Sequence, residues 1–277
     1  MKCFSICIAA LVVLLASSCS DNHQAAERHL SNARTLLAQS EFELAKAELD
    51  SVNTLYPKSF DQRKAAVPLL DSIRRAENNA LITDVEAQLS ELTPIVEKLK
   101  SDFVFQKDAK YQETGSYIPK ATAGSGVLSY TTLHSGVEED GRVYLESIFI
   151  GGQKHNKLVI KAGSESTESL VVEGDGYIHR FTDLGKTYEV IRLIGANENG
   201  VAKFIAEKAK SPMTVQLLGS HTASYTLPQN IKNAIAKSVE LSEYMLTIDS
   251  LQSEKEKAEF KNFYLDNGKQ TAVPLAE

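Results

Sequence analysis

The chain has six histidines, and none stands at a spacing that points to catalysis or metal binding. They are His23, His29, His134, His155, His179 and His221. No histidine has a second one four residues away, as helical zinc sites require, and no His-Glu-x-x-His motif occurs. The Gly-x-Ser-x-Gly elbow and the Ser-x-x-Lys pair of serine nucleophiles are also missing. The sequence therefore predicts no catalytic residue, no metal site and no cofactor.

A cysteine follows an apolar run at the start of the chain. Lys2 precedes the apolar run 4–15, which leads through three small residues to Cys19. This order is typical of a secretory signal, and the run is shorter than the roughly 20 residues of a membrane span. Residues 14–20 resemble the lipobox of bacterial lipoproteins. The resemblance implies cleavage before Cys19, acylation of Cys19 and anchoring in a membrane outside the cytoplasm.

The same segment also predicts the cellular location of the protein. By analogy with lipoproteins, Ser20 after the cysteine is compatible with transfer to the outer membrane, and both a periplasmic and a surface-facing orientation fit. The alternative interpretation is an ordinary secretory signal with an incidental cysteine. All three cysteines, Cys3, Cys7 and Cys19, lie in this segment, so the folded part has no disulfide. The net charge of -6 argues against a nucleic-acid partner, whose phosphates need a basic surface.

Two short helices are predicted over residues 22–57, with the turn at Ser40. Small and apolar residues recur along them at spacings of three and four. The recurring residues include Ala33, Leu36, Phe42, Ala45, Leu49, Val52 and Pro57. At these positions the segment resembles one tetratricopeptide-type hairpin, which implies packing against a neighbouring helix or another protein. An ordinary helical hairpin is the alternative. A partial helix is predicted over 64–75.

Two long helices are predicted on either side of a β-rich region. The first covers about 72–105 and carries an a/d heptad seam, with a kink or break at Pro94. The seam residues are Ile82, Val85, Leu89, Leu92, Val96, Leu99 and Phe103. The second begins at Pro228, and its stripe consists of Ile231, Ile235, Val239, Leu241, Met245, Ile248 and Leu251. We expect the two stripes to pair within one chain as an antiparallel stalk; docking of each stripe on another chain is the alternative.

Between these helices the period of apolar residues changes to two, and turn residues become frequent. Strands are predicted over 127–134, 142–150, 158–162, 169–173, 177–181, 188–194, 213–218 and 223–227. A hairpin turn is predicted at 138–141, a bulge near Ser147 and a short helix over 201–209. Seven or eight short strands favour an antiparallel sandwich or small barrel.

The predicted fold class is α+β, with an N-terminal helical hairpin, a long antiparallel coiled-coil-like helix pair and a β-sandwich or small barrel inserted between the long helices. The predicted domains are a signal peptide (1–18), the hairpin (19–71), the first stalk helix (72–112), the β-rich domain (113–227), the second stalk helix (228–265) and a tail (266–277).

The anchor and the helical modules together predict a non-enzymatic lipoprotein that binds or scaffolds another envelope protein. A first alternative is a surface lipoprotein whose β-domain binds a glycan through Tyr130, Tyr144, Tyr177 and Tyr188. Strand tyrosines are more often packing residues than sugar contacts. A second alternative is a hydrolase whose acidic residues meet only in the folded chain.

Overall fold

The described part of the chain has an α+β fold that divides into two compact units. The structure is a computed structural model, and it describes residues 22–107, 110, 114–123, 130–151, 154–174, 177–183 and 185–267. The helical unit comprises Met1–Gln88 and Gln252–Glu277, and the β-unit comprises Leu89–Leu251. The described helices are α1 (22–38), α2 (Phe42–Leu55), α3 (Phe60–Lys100), α4 (Lys120–Ala123), α5 (Val201–Glu207) and α6 (Gln229–Asn267). Cys19 lies outside the described residues.

A hairpin of α1 and α2 opens the helical unit and packs against the start of α3. Its turn contains Ser40, whose φ of 62° reverses the chain. The buried core consists of Ala26, Leu30, Ala33, Ala45, Leu49, Val52, Ala66 and Ile73. Alanines let the helices approach closely, and each fully buried leucine or isoleucine contributes about 1.5–3 kcal/mol. The two predicted helices and the turn at Ser40 are confirmed, and the likeness to a tetratricopeptide unit stays a prediction.

Helix α3 is continuous over 41 residues, from Phe60 to Lys100. The predicted partial helix over 64–75 and the predicted long helix over 72–105 are parts of this one helix. Pro94 does not end it, so the break proposed there is wrong.

The end of α3 comes earlier than the sequence suggested. The helix ends at Lys100, and Phe103 begins a strand rather than the last turn of the seam. Phe103 is buried in an apolar cluster with Val96, Val137 and Leu241. Burial of its ring against a strand and α6 therefore outweighs one further helical turn.

Helices α3 and α6 pair antiparallel within one chain, as predicted. In the helical unit, Asn78 donates to Asn262 at 2.9 Å, and Lys255 lies 2.6 Å from Glu86. Asn78 precedes Glu86 in α3, whereas its partner Asn262 follows Lys255 in α6, so the two helices run in opposite directions. Asn78 is buried, and a buried asparagine in a helix seam fixes the register because other registers leave its amide unpaired.

Helix α6 packs against different partners along its length in the β-unit. Its first turns place Ile231 and Ile235 in the core formed by the sheets. Further along, Leu241 and Ile248 pack with Val96 of α3. The predicted apolar stripe therefore serves two purposes, and only its later part belongs to the helix pair.

Ten strands form two antiparallel sheets in the described part of the β-unit. They are β1 (Phe103–Gln106), β2 (Ser116–Pro119), β3 (Thr132–Glu138), β4 (Val143–Ile150), β5 (His155–Ala162), β6 (Glu165–Glu168), β7 (Ile178–Asp183), β8 (Lys186–Ile194), β9 (Thr214–Gly219) and β10 (Ala223–Thr226). One sheet has the order β1-β2-β3-β4-β8-β7 and the other β10-β9-β5-β6. Neither sheet closes, so the β-region is a two-sheet arrangement rather than a barrel.

The inner faces of the two sheets enclose the main core together with α5 and the start of α6. Aliphatic side chains from both sheets dominate it, as alternation requires. They include Leu133, Leu145, Ile191 and Leu193 from the larger sheet, and Leu158, Ile160, Val215 and Leu217 from the smaller one. The short helix predicted over 201–209 is confirmed as α5.

Several strand predictions need correction. Segment 169–173 is not a strand; β6 precedes it at Glu165–Glu168, and Ser169 and Val172 donate single bonds to Leu158 and Asn156. The first predicted strand begins at Thr132 among the described residues, and residues 124–129 lie outside them. Strand β1 was not predicted because the heptad pattern continues to Phe103, and β2, which is four residues long, was not predicted either.

The bulge predicted near Ser147 is wrong. Strand β4 keeps continuous register with β3 and with β8 through this position. The irregularity lies instead in β5, between His155 and Lys157. The hairpin turn at 138–141 is confirmed: Gly141 has a φ of 88° and donates to the carbonyl of Glu138 at 2.9 Å.

Candidate functional site

Three polar side chains meet in the core of the β-unit. Ser147 lies on β4, His155 begins β5 and Glu189 lies on β8. Ser147 Oγ is 2.9 Å from His155 Nε2, and Glu189 Oε1 is 2.6 Å from His155 Nδ1. We call these residues the buried triad, because serine, histidine and carboxylate follow one another as in a serine hydrolase.

The bonds define which atoms of the buried triad carry protons. A carboxylate only accepts, so His155 donates from Nδ1 to Glu189, and its Nε2 accepts from the hydroxyl of Ser147. Glu189 Oε1 also accepts from the backbone N–H of His155 at 2.6 Å. Burial lowers the pKa of His155, Arg180 lowers it further, and Glu189 opposes both. The imidazole is therefore neutral near pH 7.

Arg180 completes the polar contacts of Glu189. Its Nε donates to Glu189 Oε2 from β7, while its side chain stays 39 % exposed. Strands β4, β7 and β8 belong to the larger sheet and β5 to the smaller. The network therefore ties the two sheets together and satisfies a buried carboxylate, which would otherwise cost several kcal/mol.

The described gap beside the buried triad is too small for a substrate. Ser147, His155 and Glu189 are 1 %, 4 % and 2 % exposed. The gap beside His155, lined in part by Phe149 and Leu217, is too small to hold a water molecule. Acyl transfer requires a carbonyl carbon within reach of the serine oxygen. The arrangement thus has the hydrogen bonds of a hydrolase without access to its nucleophile.

A glycine permits the close approach of β5 to β9 at this point. Gly219 pairs with His155. A Cβ on Gly219 would lie 2.0 Å from the carbonyl oxygen of Lys154 and 2.5 Å from the Cα of His155. Since both contacts are with backbone, no side-chain movement relieves them, and only glycine fits this position.

The sequence carried a signal for the buried triad that pattern analysis missed. Glu189 lies on the same face of β8 as Ile191 and Leu193, which point into the core. Ser147 likewise lies on the same face of β4 as Leu145. A polar residue in an inward register needs a buried partner. The bulge at Ser147 was predicted because the apolar residues change there from odd positions (Val143, Leu145) to even positions (Ile148, Ile150).

A pair of carboxylates flanks Arg192 on the larger sheet. Arg192 pairs with Glu138 and, at 3.1 Å, with Glu146, and its guanidinium lies 3.7 Å from the centre of the Tyr144 ring. Burial raises the pKa of Glu146, and Arg192 opposes that rise. The shared arginine therefore balances part of the charge of both carboxylates.

The four tyrosines proposed as ligand contacts have different surroundings. Tyr144 and Tyr188 are buried; the first lies under Arg192, and the second stacks on Phe181 with ring centres 5.0 Å apart. Tyr130 and Tyr177 are 54 % and 43 % exposed. Tyr144 and Tyr188 are six positions apart along paired strands, about 20 Å, so they form no common platform.

Two histidines of the helical unit form local contacts. His29 Nδ1 lies 2.6 Å from Glu48, and His23 Nδ1 lies 3.2 Å from Gln62. Within the described ranges, no three histidine, cysteine, aspartate or glutamate side chains cluster in a way that suits a metal ion.

The helical unit contains an open cleft that sequence analysis did not anticipate. Its volume is about 440 Å³, within the usual range for ligand sites. We call it the aromatic cleft. Its walls come from α2, α3 and α6, and its lining residues include Lys46, Arg74, Glu77, Phe260, Lys261 and Tyr264.

Exposed aromatic rings dominate the α6 side of the aromatic cleft. Phe260 and Tyr264 meet edge to face with centres 4.8 Å apart, and Phe263 lies 6.4 Å from Tyr264. All three side chains are about 60 % exposed. Three such rings within two turns of one helix form an apolar patch of the kind that marks interaction surfaces. Their spacing of three and four was the signal available in the sequence.

The chain was compared with protein families, curated proteins and solved structures. No protein-family model, no curated protein and no solved structure matches the chain. In the described part of the chain, no helix combines the length and apolar character needed to cross a bilayer.

Proposed function

We propose that this protein is a membrane-anchored lipoprotein of the bacterial cell envelope that binds another envelope protein and carries out no catalysis. The aromatic cleft is the observation that supports binding. It is ligand-sized, open to solvent and bordered by exposed rings and an arginine, which are residue types enriched in protein–protein interfaces.

The anchor is the second part of the proposal. The lipobox-like segment ending at Cys19 supports acylation of that residue and retention at the outer membrane. An acyl anchor confines the protein to a surface and raises its effective concentration near partners in the same membrane. A modest affinity in the aromatic cleft would then suffice for a stable complex.

In-cell crosslinking of the tagged protein, followed by mass spectrometry, tests the proposal. We expect one dominant envelope protein, captured by the lipidated chain and lost with Cys19→Ala. A matched variant, Cys7→Ala, changes a cysteine of the signal segment without removing the acylation site and should retain the capture. Equal capture by Cys19→Ala would contradict the role of the anchor.

Two exposed tyrosines favour a glycan as the second candidate ligand. Tyr130 and Tyr177 present accessible rings, which is what stacking on a sugar requires. A glycan array with the wild-type protein, repeated with Tyr130→Ala and Tyr177→Ala, tests this alternative. Glycan binding that each substitution abolishes, together with an absence of protein crosslinks, would favour glycan binding over the protein-binding proposal.

A further inference from the structure

The aromatic cleft differs in charge from the rest of the chain. The whole sequence has a net charge of -6. The lining of the cleft contains three cations, Lys46, Arg74 and Lys261, against one anion, Glu77, which gives a local formal charge of +2. A basic cleft in an acidic protein attracts negative groups locally while the remaining surface repels them.

Among the described residues, two of the three cations have no ion-pair partner. Lys46 lies 2.7 Å from Glu77 and 2.9 Å from Glu43, so its charge is already balanced. Arg74 and Lys261 form no ion pair with any described carboxylate. They stand on α3 and α6 and therefore on different walls of the cleft. An occupant with carboxylates on both flanks would pair with each of them.

The floor of the cleft requires an apolar occupant. Phe260, Tyr264 and Leu265 contribute apolar surface to its lining, and the two exposed rings remain partly in contact with water. A groove walled by helices accepts a further helix, whose apolar side chains at every third and fourth position insert between the walls. A helix with leucines on one face and carboxylates beside them matches both the floor and the flanks.

We propose that the aromatic cleft receives one acidic amphipathic helix of a partner protein, with its apolar face on Phe260 and Tyr264 and its carboxylates beside Arg74 and Lys261. This inference rests on the proposed binding function and names the chemistry of the partner. Such charge pairs at the rim of an apolar contact mainly provide selectivity, and their effect weakens as salt rises.

Two synthetic helical peptides test the inference on the full chain in detergent micelles. Both carry leucines at positions i, i+3, i+4 and i+7, flanked by glutamates in one and by lysines in the other. We expect the glutamate peptide to bind about tenfold more tightly, as two rim ion pairs imply. The double substitution Arg74→Glu and Lys261→Glu should reverse this preference. Equal binding of the two peptides, or an unchanged preference in the variant, would refute the inference.

A matched double variant controls for net charge. Arg28→Glu and Lys58→Glu change two exposed cations of the same unit that do not line the cleft. We expect this variant to keep the preference for glutamate. A deletion of 268–277 should leave binding unchanged; binding that occurs only after the deletion would show that this segment is the occupant. Concentration-dependent dimers that are lost in Tyr264→Ala would likewise show a second copy as the occupant.

The two proposals fail separately. If neither peptide binds but crosslinking still captures an envelope protein, the inferred chemistry of the cleft is wrong and the binding function stands. If the glutamate peptide binds as expected but no partner is captured in cells, the cleft chemistry stands and the scaffolding role fails.

Discussion

The β-unit holds a serine, a histidine and a glutamate in hydrogen-bonded contact, whereas the helical unit holds an open cleft without a nucleophile. The buried triad has the chemistry of an active site but no space beside it for a water molecule. The aromatic cleft has about 440 Å³ of space, and most of the side chains around it are charged or aromatic. Reactive residue types and accessible volume are separate requirements, and the buried triad and the aromatic cleft each meet one of them.

The difference also shows in what each region contributes to stability. Polar groups in the buried triad must all be paired, because an unpaired buried group loses hydration without compensation. Cations and rings of the aromatic cleft are largely hydrated and contribute little to folding. Substitutions in the first region should therefore affect unfolding, and substitutions in the second should affect binding.

The largest effect is expected from Glu189→Ala. It leaves the Nδ1–H and the backbone N–H of His155 without an acceptor in the core, at a cost of about 3 kcal/mol in the free energy of unfolding. Urea denaturation followed by circular dichroism measures this. Glu165→Ala is the control, because it removes an exposed carboxylate paired with Lys208 and should cost less than about 1 kcal/mol. Equal losses would show that the buried triad adds nothing to stability.

A graded loss of stability is expected in acid. The pKa of His155 in the folded protein is lowered by burial from its ordinary 6.5, so the unfolded chain binds the proton more readily. The free energy of unfolding is therefore highest above about pH 6.5 and falls as the pH drops below that value. Denaturation at a series of pH values measures the slope.

Two other groups modify this pH dependence. Burial also lowers the pKa of His134, which acts in the same direction, whereas burial raises the pKa of Glu146, which acts in the opposite one. The double substitution His134→Gln and Glu146→Gln removes both of these contributions and leaves that of His155. If this variant shows no loss of stability between pH 7 and pH 5, the neutral state inferred for His155 is wrong.

A smaller change in stability, within about 0.5 kcal/mol, is expected from Tyr264→Ala, since its side chain is 63 % exposed. Binding of the glutamate peptide should nevertheless fall at least about tenfold, because exposed tyrosines at cleft centres are frequent hot spots. Thermal denaturation and fluorescence anisotropy separate the two effects. A large drop in melting temperature would assign Tyr264 to the fold instead of the cleft.

No effect at all is expected from a serine-directed fluorophosphonate probe. Ser147 is buried in the native state, so the folded protein should remain unlabelled and Ser147→Ala should give the same result. Mass spectrometry of the treated protein measures labelling. Stoichiometric modification of the wild-type chain that disappears in Ser147→Ala would establish a hydrolase and overturn the non-catalytic proposal.

The fold was predictable to the extent that it follows from periodicity. Alternation of three and four located the hairpin and the long helices, and the intramolecular pairing followed from two apolar stripes that each needed a partner. The end of α3 at Lys100 was not predictable in this way, because the heptad pattern continues to Phe103 while tertiary burial places that residue in β1. Short strands such as β2 carry too few residues for a period.

The candidate sites depend on contacts between distant residues, and this limits what a sequence pattern reveals. Ser147 and Glu189 are separated along the chain and meet only through the pairing of β4 with β8. The lining of the aromatic cleft likewise combines Lys46 with Tyr264 from opposite ends of the sequence. The sequence shows the polar residues of the buried triad at inward positions and the clustered rings of the aromatic cleft. It does not show which distant residues contact them.

The helical unit is assembled from two separated stretches, before Gln88 and after Gln252, whereas the β-unit is one continuous stretch. During synthesis or export, the residues of the β-unit are therefore complete before the last part of α6 has emerged. Until then Asn78 lacks its partner Asn262, and the aromatic cleft lacks Phe260 and Tyr264. Slow synthesis or export of α6 would therefore make the aromatic cleft the last of these regions to fold.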